Sequence, residues 1–308
     1  MQPTSRPLVS IALPVYNGED TIVETARSAL DQQYGDVELV ISDNASGDGT
    51  EEICRELARD DSRVSYHRSP DNVGVVRNFM KCMHLARGDY IRWLGHDDWI
   101  APSYVSRCLD VFAQNERLVL VTTQLEYQLA DDRTASDLYD GSALQSGDPV
   151  TRFGEMLRLQ TRSYTLLDPM YGLMRRETPL ASPQRMIMRT DEIFAAELAL
   201  AGPWGHIPEI LARRRFEVQP AGAIARKLGT PRWQARFANL MQCRELMHVI
   251  AERESTGILS AEQARLARAE VRRLYVRRWV SLAERARRKA VRVAVARATR
   301  STSRPADA

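Results

Sequence analysis

Over residues 8–94 the chain alternates between short β-rich apolar runs and stretches with helical apolar spacing. Residues 8–13 (Leu-Val-Ser-Ile-Ala-Leu), 37–42, 63–67 and 90–94 read as strands. Residues 21–32, 51–59 and 72–87 read as the helices between them. Ile22, Val23, Ala26, Ala29 and Leu30 share one face of the first helix, and Ile53, Leu57 and Ala58 one face of the second. The first strand is apolar without alternation, as expected of a strand covered on both faces. Repeated β–α units predict an α/β fold with a mostly parallel sheet, flanking helices and right-handed crossovers. Parallel strands end on one edge. The polar turns after strands one, two and four (Tyr16/Asn17, Asp43/Asn44 and His96/Asp97/Asp98) therefore converge on one crevice, where open α/β sheets hold ligands.

The turn at 96–98 carries an imidazole and two adjacent carboxylates. Carboxylates on a tight turn suit Mg²⁺ or Mn²⁺, which take oxygen ligands and share them with substrate phosphates. The same residues also fit a solvated acidic turn that caps a helix opened by Pro102. Neither a Walker glycine-lysine loop nor Gly-x-Gly-x-x-Gly follows the first strand. That argues against P-loop phosphate binding and against an NAD enzyme.

In the second half, residues 118–123 read as a fifth strand and 131–149 as a surface excursion. Residues 152–159 read as a helix and 170–176 as a strand returning to the sheet. Residues 190–202 form a helix, with Thr190 as N-cap, Asp191 and Glu192 at its positive end and Gly202 as its stop. Residues 206–211 follow as an edge strand. His206 fits a structural role there, with approach to a metal as the alternative. Pro220, Gly222, Gly229 and Pro231 mark a boundary that divides the chain into 1–220 and a helical extension, 221–308.

That extension carries the positive charge. Fourteen of the 43 Lys/Arg but only two of the 40 Asp/Glu lie within 265–304, leaving 29 basic against 38 acidic residues elsewhere. Leu266, Leu274, Val276, Val280 and Leu282 form an irregular apolar stripe among these arginines. Either the helices pack on the body, with Leu274, Trp279 and Leu282 inward and the arginines solvated, or the basic face touches anionic lipid at the inner side of a membrane. No nucleic-acid motif accompanies the charge. No apolar run approaches the roughly 20 residues of a membrane span, and the N-terminus lacks a signal-like apolar core, so a cytoplasmic location is expected. The four cysteines form no CxxC pair, which predicts buried thiols rather than zinc or disulfides.

Five motifs in order carry a resemblance. They are Pro14-Val15-Tyr16-Asn17, the Asp-Asn-Ala-Ser-Gly-Asp-Gly-Thr loop at 43–50, Asn72-x-Gly74, Ala-Arg-Gly-Asp-Tyr-Ile at 86–91 and His96-Asp97-Asp98. Together they resemble family 2 glycosyltransferases of the GT-A fold, over 8–122 and more loosely to 215. The resemblance implies a GT-A domain in 1–220 and a nucleotide-sugar donor along the crevice. Pro14, Tyr16 and Asn17 would lie against the base, and Asp43 would bond base or ribose. The turn His96/Asp97/Asp98 would take the place of the DxD motif, with Asp98 on Mn²⁺ or Mg²⁺. The chain departs from that motif at its first position, His96. Arg77 would neutralise phosphate, unless it is a surface arginine of its helix. Asp191, about three turns before Gly202, takes the general-base position, with Glu192 second and plain helix capping as the structural alternative.

The implied function is metal-dependent, inverting transfer of a sugar to a hydroxyl of a glycan or lipid-linked acceptor, in cell-surface glycan or polysaccharide synthesis. Two rivals remain at this level. A nucleotidyltransferase usually carries a glycine-rich loop with a basic residue after strand one, and residues 14–20 have neither. A non-catalytic nucleotide-sugar-binding protein would keep Asp43 and Asp98 without needing Asp191.

Overall fold

The computed structural model describes residues 6–302 except 130, 132, 164, 183–184 and 217–218; beyond residue 281 it describes the side chains of 283, 284 and 287 only. The alternation appears as β1 (Val9–Val15), α1 (Ile22–Leu30), β2 (Val37–Asp43), α2 (Thr50–Asp60), β3 (Val64–Arg68), α3 (Val75–Leu85) and β4 (Tyr90–Trp93). β1 pairs in parallel with β2 and β4, and β2 with β3. Every residue of β1 is buried. Pro14 is tolerated in this central strand for a local reason. The Val15 carbonyl faces β2 and accepts from Asn44 N–H (2.9 Å), whereas that of Ala12 faces the other way and accepts from Leu94 N–H (2.9 Å). Pro14 shares the Ala12 side, but β4 pairs only as far as Ala12↔Trp93. The donor that proline lacks thus points past the end of β4.

The chain continues through β5 (Trp99–Ile100), α4 (Tyr104–Gln114), β6 (Leu120–Leu129), β7 (Thr134–Ala135), α5 (Pro149–Leu159), β8 (Leu173–Arg175) and α6 (Glu177–Leu180). It ends in α7 (Thr190–Ala201), β9 (Trp204–Phe216), α8 (Ala221–Lys227), α9 (Arg232–Ser255) and α10 (Ala261–Thr302). The sheet order is β3-β2-β1-β4-β8-β6-β9-β5, with β7 beside β6. β8 runs antiparallel to β4 and β6 and joins two parallel groups, and β9 runs parallel to β6. Side-chain alternation sorts the core. Ile11, Leu13 and Ile41 meet α1 and α4 on one face, through Ile22, Tyr104 and Phe112. Ala12, Val40 and Trp93 meet α3 and α7 on the other, through Met83 and Leu198. In a further cluster, Phe153, Leu157, Ile193 and Leu200 of α5 and α7 receive Leu246 and Ile250 of α9 and Val271 and Leu274 of α10.

Several elements differ from the sequence expectations. The helix expected at Pro102 begins at Tyr104, because residues 99–100 first pair with β9. The strand expected at 206–211 is longer and is not an edge, since β6 lies on one side and β5 on the other. The excursion at 131–149 contains β7 and buries Tyr139 (7% exposed) and Leu144 (1%). The expected boundary at 220–232 holds α8. All four cysteines are buried and free. In α10, Leu274 is buried but Trp279 is exposed, while Leu282 and half of the tail's fourteen cations lie outside the described side chains.

Candidate active site

The carboxyl ends of β1, β2 and β4 open on a cleft of ≈ 1620 Å³. That exceeds the about 300–1,000 Å³ typical of a pocket for one small molecule. From the sheet edge it is lined by Pro14, Tyr16, Asn44, Arg77, His96 and Asp97. From the second half of the chain come Tyr171, Asp191, Arg214 and residues of α8 and α9. Of the sequence-predicted residues, Asn17, Asp43 and Asp98 do not line it. Arg77 is exposed on α3, with no hydrogen bond or ion pair among the described residues.

Asn17 and Asp43 build the loops behind the wall. Asn17 adopts φ 52°, a left-handed conformation that asparagine tolerates. Its N–H donates to Ser46 Oγ (2.9 Å), and its Oδ1 accepts from Gly47 N–H (2.9 Å). Asp43 Oδ1 accepts from Ser46 N–H (2.9 Å) and Ser46 Oγ (2.6 Å). Its Oδ2 accepts from Tyr66 Oη (2.7 Å) and Arg68 Nη1 (2.7 Å). These four bonds fill the acceptor capacity of a carboxylate. Burial pushes the Asp43 carboxyl up, but the bonds from Ser46, Tyr66 and Arg68 outweigh it and hold the group below its usual range. Asp43 is therefore a strut between β2, β3 and the loop at 43–50. It reaches a nucleotide only by exchanging one of these partners.

The acidic turn rests on α1. Thr25 Oγ1 donates to the carbonyls of His96 (2.8 Å) and Asp98 (2.9 Å), and His96 Nδ1 lies 3.1 Å from Thr21 Oγ1. Gly18 permits this approach: a Cβ there would stand 2.7 Å from Val15 Cγ2 and 3.1 Å from His96 Nδ1. The Asp97 carboxylate faces the cleft without a hydrogen bond among the described residues. Asp98 is 3% exposed. Its Oδ2 accepts from Arg214 Nε (3.0 Å) and Gly95 N–H (3.3 Å), while its buried Oδ1 has no partner among the described residues. An orphaned acceptor next in sequence to a free carboxylate fits a hard cation that completes its shell with substrate oxygens. No trio of His, Cys, Asp or Glu able to hold a metal occurs among the described residues.

Arg214 is the residue that sequence reasoning missed. The run 213–215 follows the strand read at 206–211, and on a strand successive side chains alternate. Arg213 and Arg215 are exposed, while Arg214 turns inward, bonds both Asp98 and Asp168, and stacks on the Tyr171 ring at 3.5 Å. Burial pushes the Asp168 carboxyl up; Arg214 opposes this, and the charges of Asp191 and Asp98 add to it.

At the start of α7 the expected cap is corrected. Arg189, at φ 65°, occupies the cap position, and its side chain makes no capping hydrogen bond. Thr190 Oγ1 instead donates to the Arg185 carbonyl (2.9 Å), because the preceding loop folds back over it. Arg185 in turn grips Glu197 (2.6 and 2.7 Å) and Glu245 of α9 (2.7 Å). The acidic pair divides clearly. Glu192 is held by Arg189 and Arg278. Asp191 is exposed in the cleft with no partner among the described residues.

His206 stands away from the cleft. Its Nδ1 meets Thr122 Oγ1 at 3.0 Å, and its ring packs edge-on against Tyr139. Gly141, at φ 78°, lies so close that a Cβ would come within 2.5 Å of His206 Cβ. Burial pushes the imidazole pKa down to about 4. The folded protein thus binds fewer protons than the unfolded chain between these values. The stability this contributes is full above about 6.5 and declines as pH falls toward 4. His206→Gln, which keeps a partner for Thr122, is expected to remove about 2–3 kcal/mol of that acid sensitivity. Urea midpoints of both proteins at pH 7.5 and 4.5 check it, and an unchanged pH dependence would contradict it.

A family model described as glycosyl transferase family 2 matches residues 10–177. An uncharacterized glycosyltransferase of Haemophilus influenzae is 35% identical over 125 residues, 41% of this chain and 49% of that protein. A chondroitin synthase of Escherichia coli is 38% identical over 117 residues, 38% of this chain and 17% of that protein. The chain spans less than half the length of these two curated relatives. Among solved structures, S. aureus TarS 1-349 in complex with UDP-GlcNAc aligns with a TM-score of 0.62 at 14% identity, over 87% of this chain and 72% of that one. That is a likeness of fold.

Proposed function

Since the chain belongs to glycosyl transferase family 2, we propose that its cleft binds a nucleotide sugar and passes the sugar, with inversion, to an acceptor hydroxyl deprotonated by Asp191. One observation carries this reading: Asp191 is a carboxylate with no partner among the described residues, in the same cleft as the acidic turn and the loop after β1. The family assignment sets the nucleotidyltransferase alternative aside.

Each side chain then has a task. Pro14 and Tyr16 form the surface on which the base rests, with Asn17 and Asp43 fixing the loops behind them. Arg77, exposed and without an ion pair among the described residues, answers the donor phosphates. That the fold neighbour was solved with UDP-GlcNAc supports a nucleotide sugar as the donor. Asp98, through its orphaned Oδ1, and Asp97 would hold Mn²⁺ or Mg²⁺, with His96 bracing the turn. A bound divalent cation supplies Lewis-acid stabilisation of the leaving diphosphate. Asp191 accepts the hydroxyl proton as the acceptor oxygen attacks the anomeric carbon from the face opposite the leaving group. Holding both substrates in one cleft contributes through orientation. The catalytic domain is 1–220, and the extension 221–308 lends α8 and α9 to the cleft. The acceptor is a glycan or a lipid-linked sugar of surface polysaccharide synthesis, met in the cytoplasm at the inner membrane face. No helix among the described residues is long and apolar enough to cross a membrane.

Asp43→Ala tests the donor side. It leaves Tyr66, Arg68 and Ser46 without their acceptor, so nucleoside-diphosphate affinity should fall by about 1–3 kcal/mol, with a loss of fold stability of similar size. Calorimetry with a panel of nucleoside diphosphates reads the first and urea unfolding the second. Undiminished affinity in a destabilised variant would leave Asp43 a structural strut alone.

A further inference from the structure

Residues 219–244 contain Arg226, Lys227, Arg232, Arg236 and Arg244 and no Asp or Glu. They cover α8 and the first half of α9. In α9, Gln234, Ala238 and Gln242 are buried against the body. Trp233, Phe237 and Leu240 are 54%, 48% and 52% exposed. The helix kinks at Phe237 (φ −111°, ψ 18°), so the three are exposed on either side of a bend, Trp233 one turn before it and Leu240 one turn after. All five cations are exposed and make no ion pair among the described residues. An ordinary solvated surface mixes both signs of charge and avoids clustered aromatics. This face has one sign of charge and an apolar seam.

The face also borders the cleft, since Ile224, Arg226 and Lys227 of α8 and Ala235 and Ala238 of α9 line it. The basic tail, where the sequence suggested lipid contact, is partly engaged at home. Arg268, Arg273 and Arg278 pair with Glu254, Glu270 and Glu192, and Val271 and Leu274 are buried. Among the described residues, the five cations of 219–244 have no such partners.

We propose that the α8–α9 face docks on an anionic lipid bilayer. Trp233, Phe237 and Leu240 enter the headgroup boundary, the cations sit over the acidic lipids, and the cleft mouth meets the membrane surface. Aromatic and leucine side chains beside arginines are the composition of an interfacial helix, and the charge is complementary to acidic headgroups. The value of this placement for catalysis rests on the transfer reading above; the docking itself does not.

Co-sedimentation of the full chain with phosphatidylcholine vesicles, with and without phosphatidylglycerol, tests it. The wild type should bind only the anionic vesicles and release them at high salt. The double variant Trp233→Ser, Phe237→Ser should lose at least about tenfold in vesicle affinity. Arg232→Gln with Arg236→Gln should weaken binding and flatten its salt dependence, and Trp279→Ser should bind as wild type. Thermal melting confirms that each variant is folded. Equal binding to both vesicle types, or wild-type binding by the Trp233/Phe237 variant, would overturn the proposal. So would a wild-type dimer that the variant dissociates, with no vesicle binding by either. Calorimetry with nucleoside diphosphates on the same samples separates the two readings: lost docking with intact nucleotide binding sinks only this one.

Discussion

Asp191→Asn is expected to lower turnover by about 10²–10⁴-fold while leaving nucleotide affinity unchanged. The substitution keeps the shape of the side chain and removes only its capacity to take a proton. Because Asp191 caps nothing and has no partner among the described residues, the fold should not register the change. Glu192→Gln makes the contrasting variant. It disturbs the pairs with Arg189 and Arg278, and so the seat of α10 on α7, and should cost stability more than rate. Initial rates, donor affinity and melting temperature of the two variants separate base from strut. If Asp191→Asn loses stability but keeps turnover, its role is structural and the assignment fails. A protein that only binds nucleotide sugars would show no turnover to lose.

Asp98→Asn should reduce divalent-dependent turnover by at least about 10²-fold, in line with several kcal/mol of charge stabilisation at the leaving group. An asparagine oxygen still accepts from Arg214 and Gly95, so the turn should persist. What changes is charge: Arg214 retains Asp168 as its acidic partner among the described residues, and the turn loses a carboxylate. Calorimetry of Mn²⁺ in the presence of a nucleoside diphosphate gives a readout independent of activity and should show weakened binding. Full wild-type activity in EDTA would contradict the assignment of Asp98.

The parts of the fold legible in the sequence were those written in local period. β1 and β2 announce themselves as apolar runs, α1 to α3 by helical spacing, and the turns by Gly18, Asn44 and Gly74. The convergence of Pro14, Tyr16, His96 and Asp97 on one cleft follows from parallel topology alone. What escaped was set by contacts between distant segments. β5 has two residues and exists only because β9 arrives beside it. Asp98 meets Arg214 across 116 positions, and Glu192 meets Arg278 across 86. No window of sequence contains such pairs, although strand alternation through 213–215 would have singled out the middle arginine. Asp43 was legible as a loop aspartate, but its burial among Ser46, Tyr66 and Arg68 was not, since β3 supplies two of those three partners.

Proton NMR of the sugar first released when the wild type slowly hydrolyses an α-linked nucleotide sugar tests the central claim most directly. On the proposed mechanism, water then stands in for the acceptor and Asp191 would take its proton. From the donor in a nucleotide-sugar panel that is turned over, the β-anomer should appear first, before mutarotation, and Asp191→Asn should suppress its release. An α-anomer appearing first, or release undiminished in Asp191→Asn, would contradict inverting transfer with Asp191 as the base.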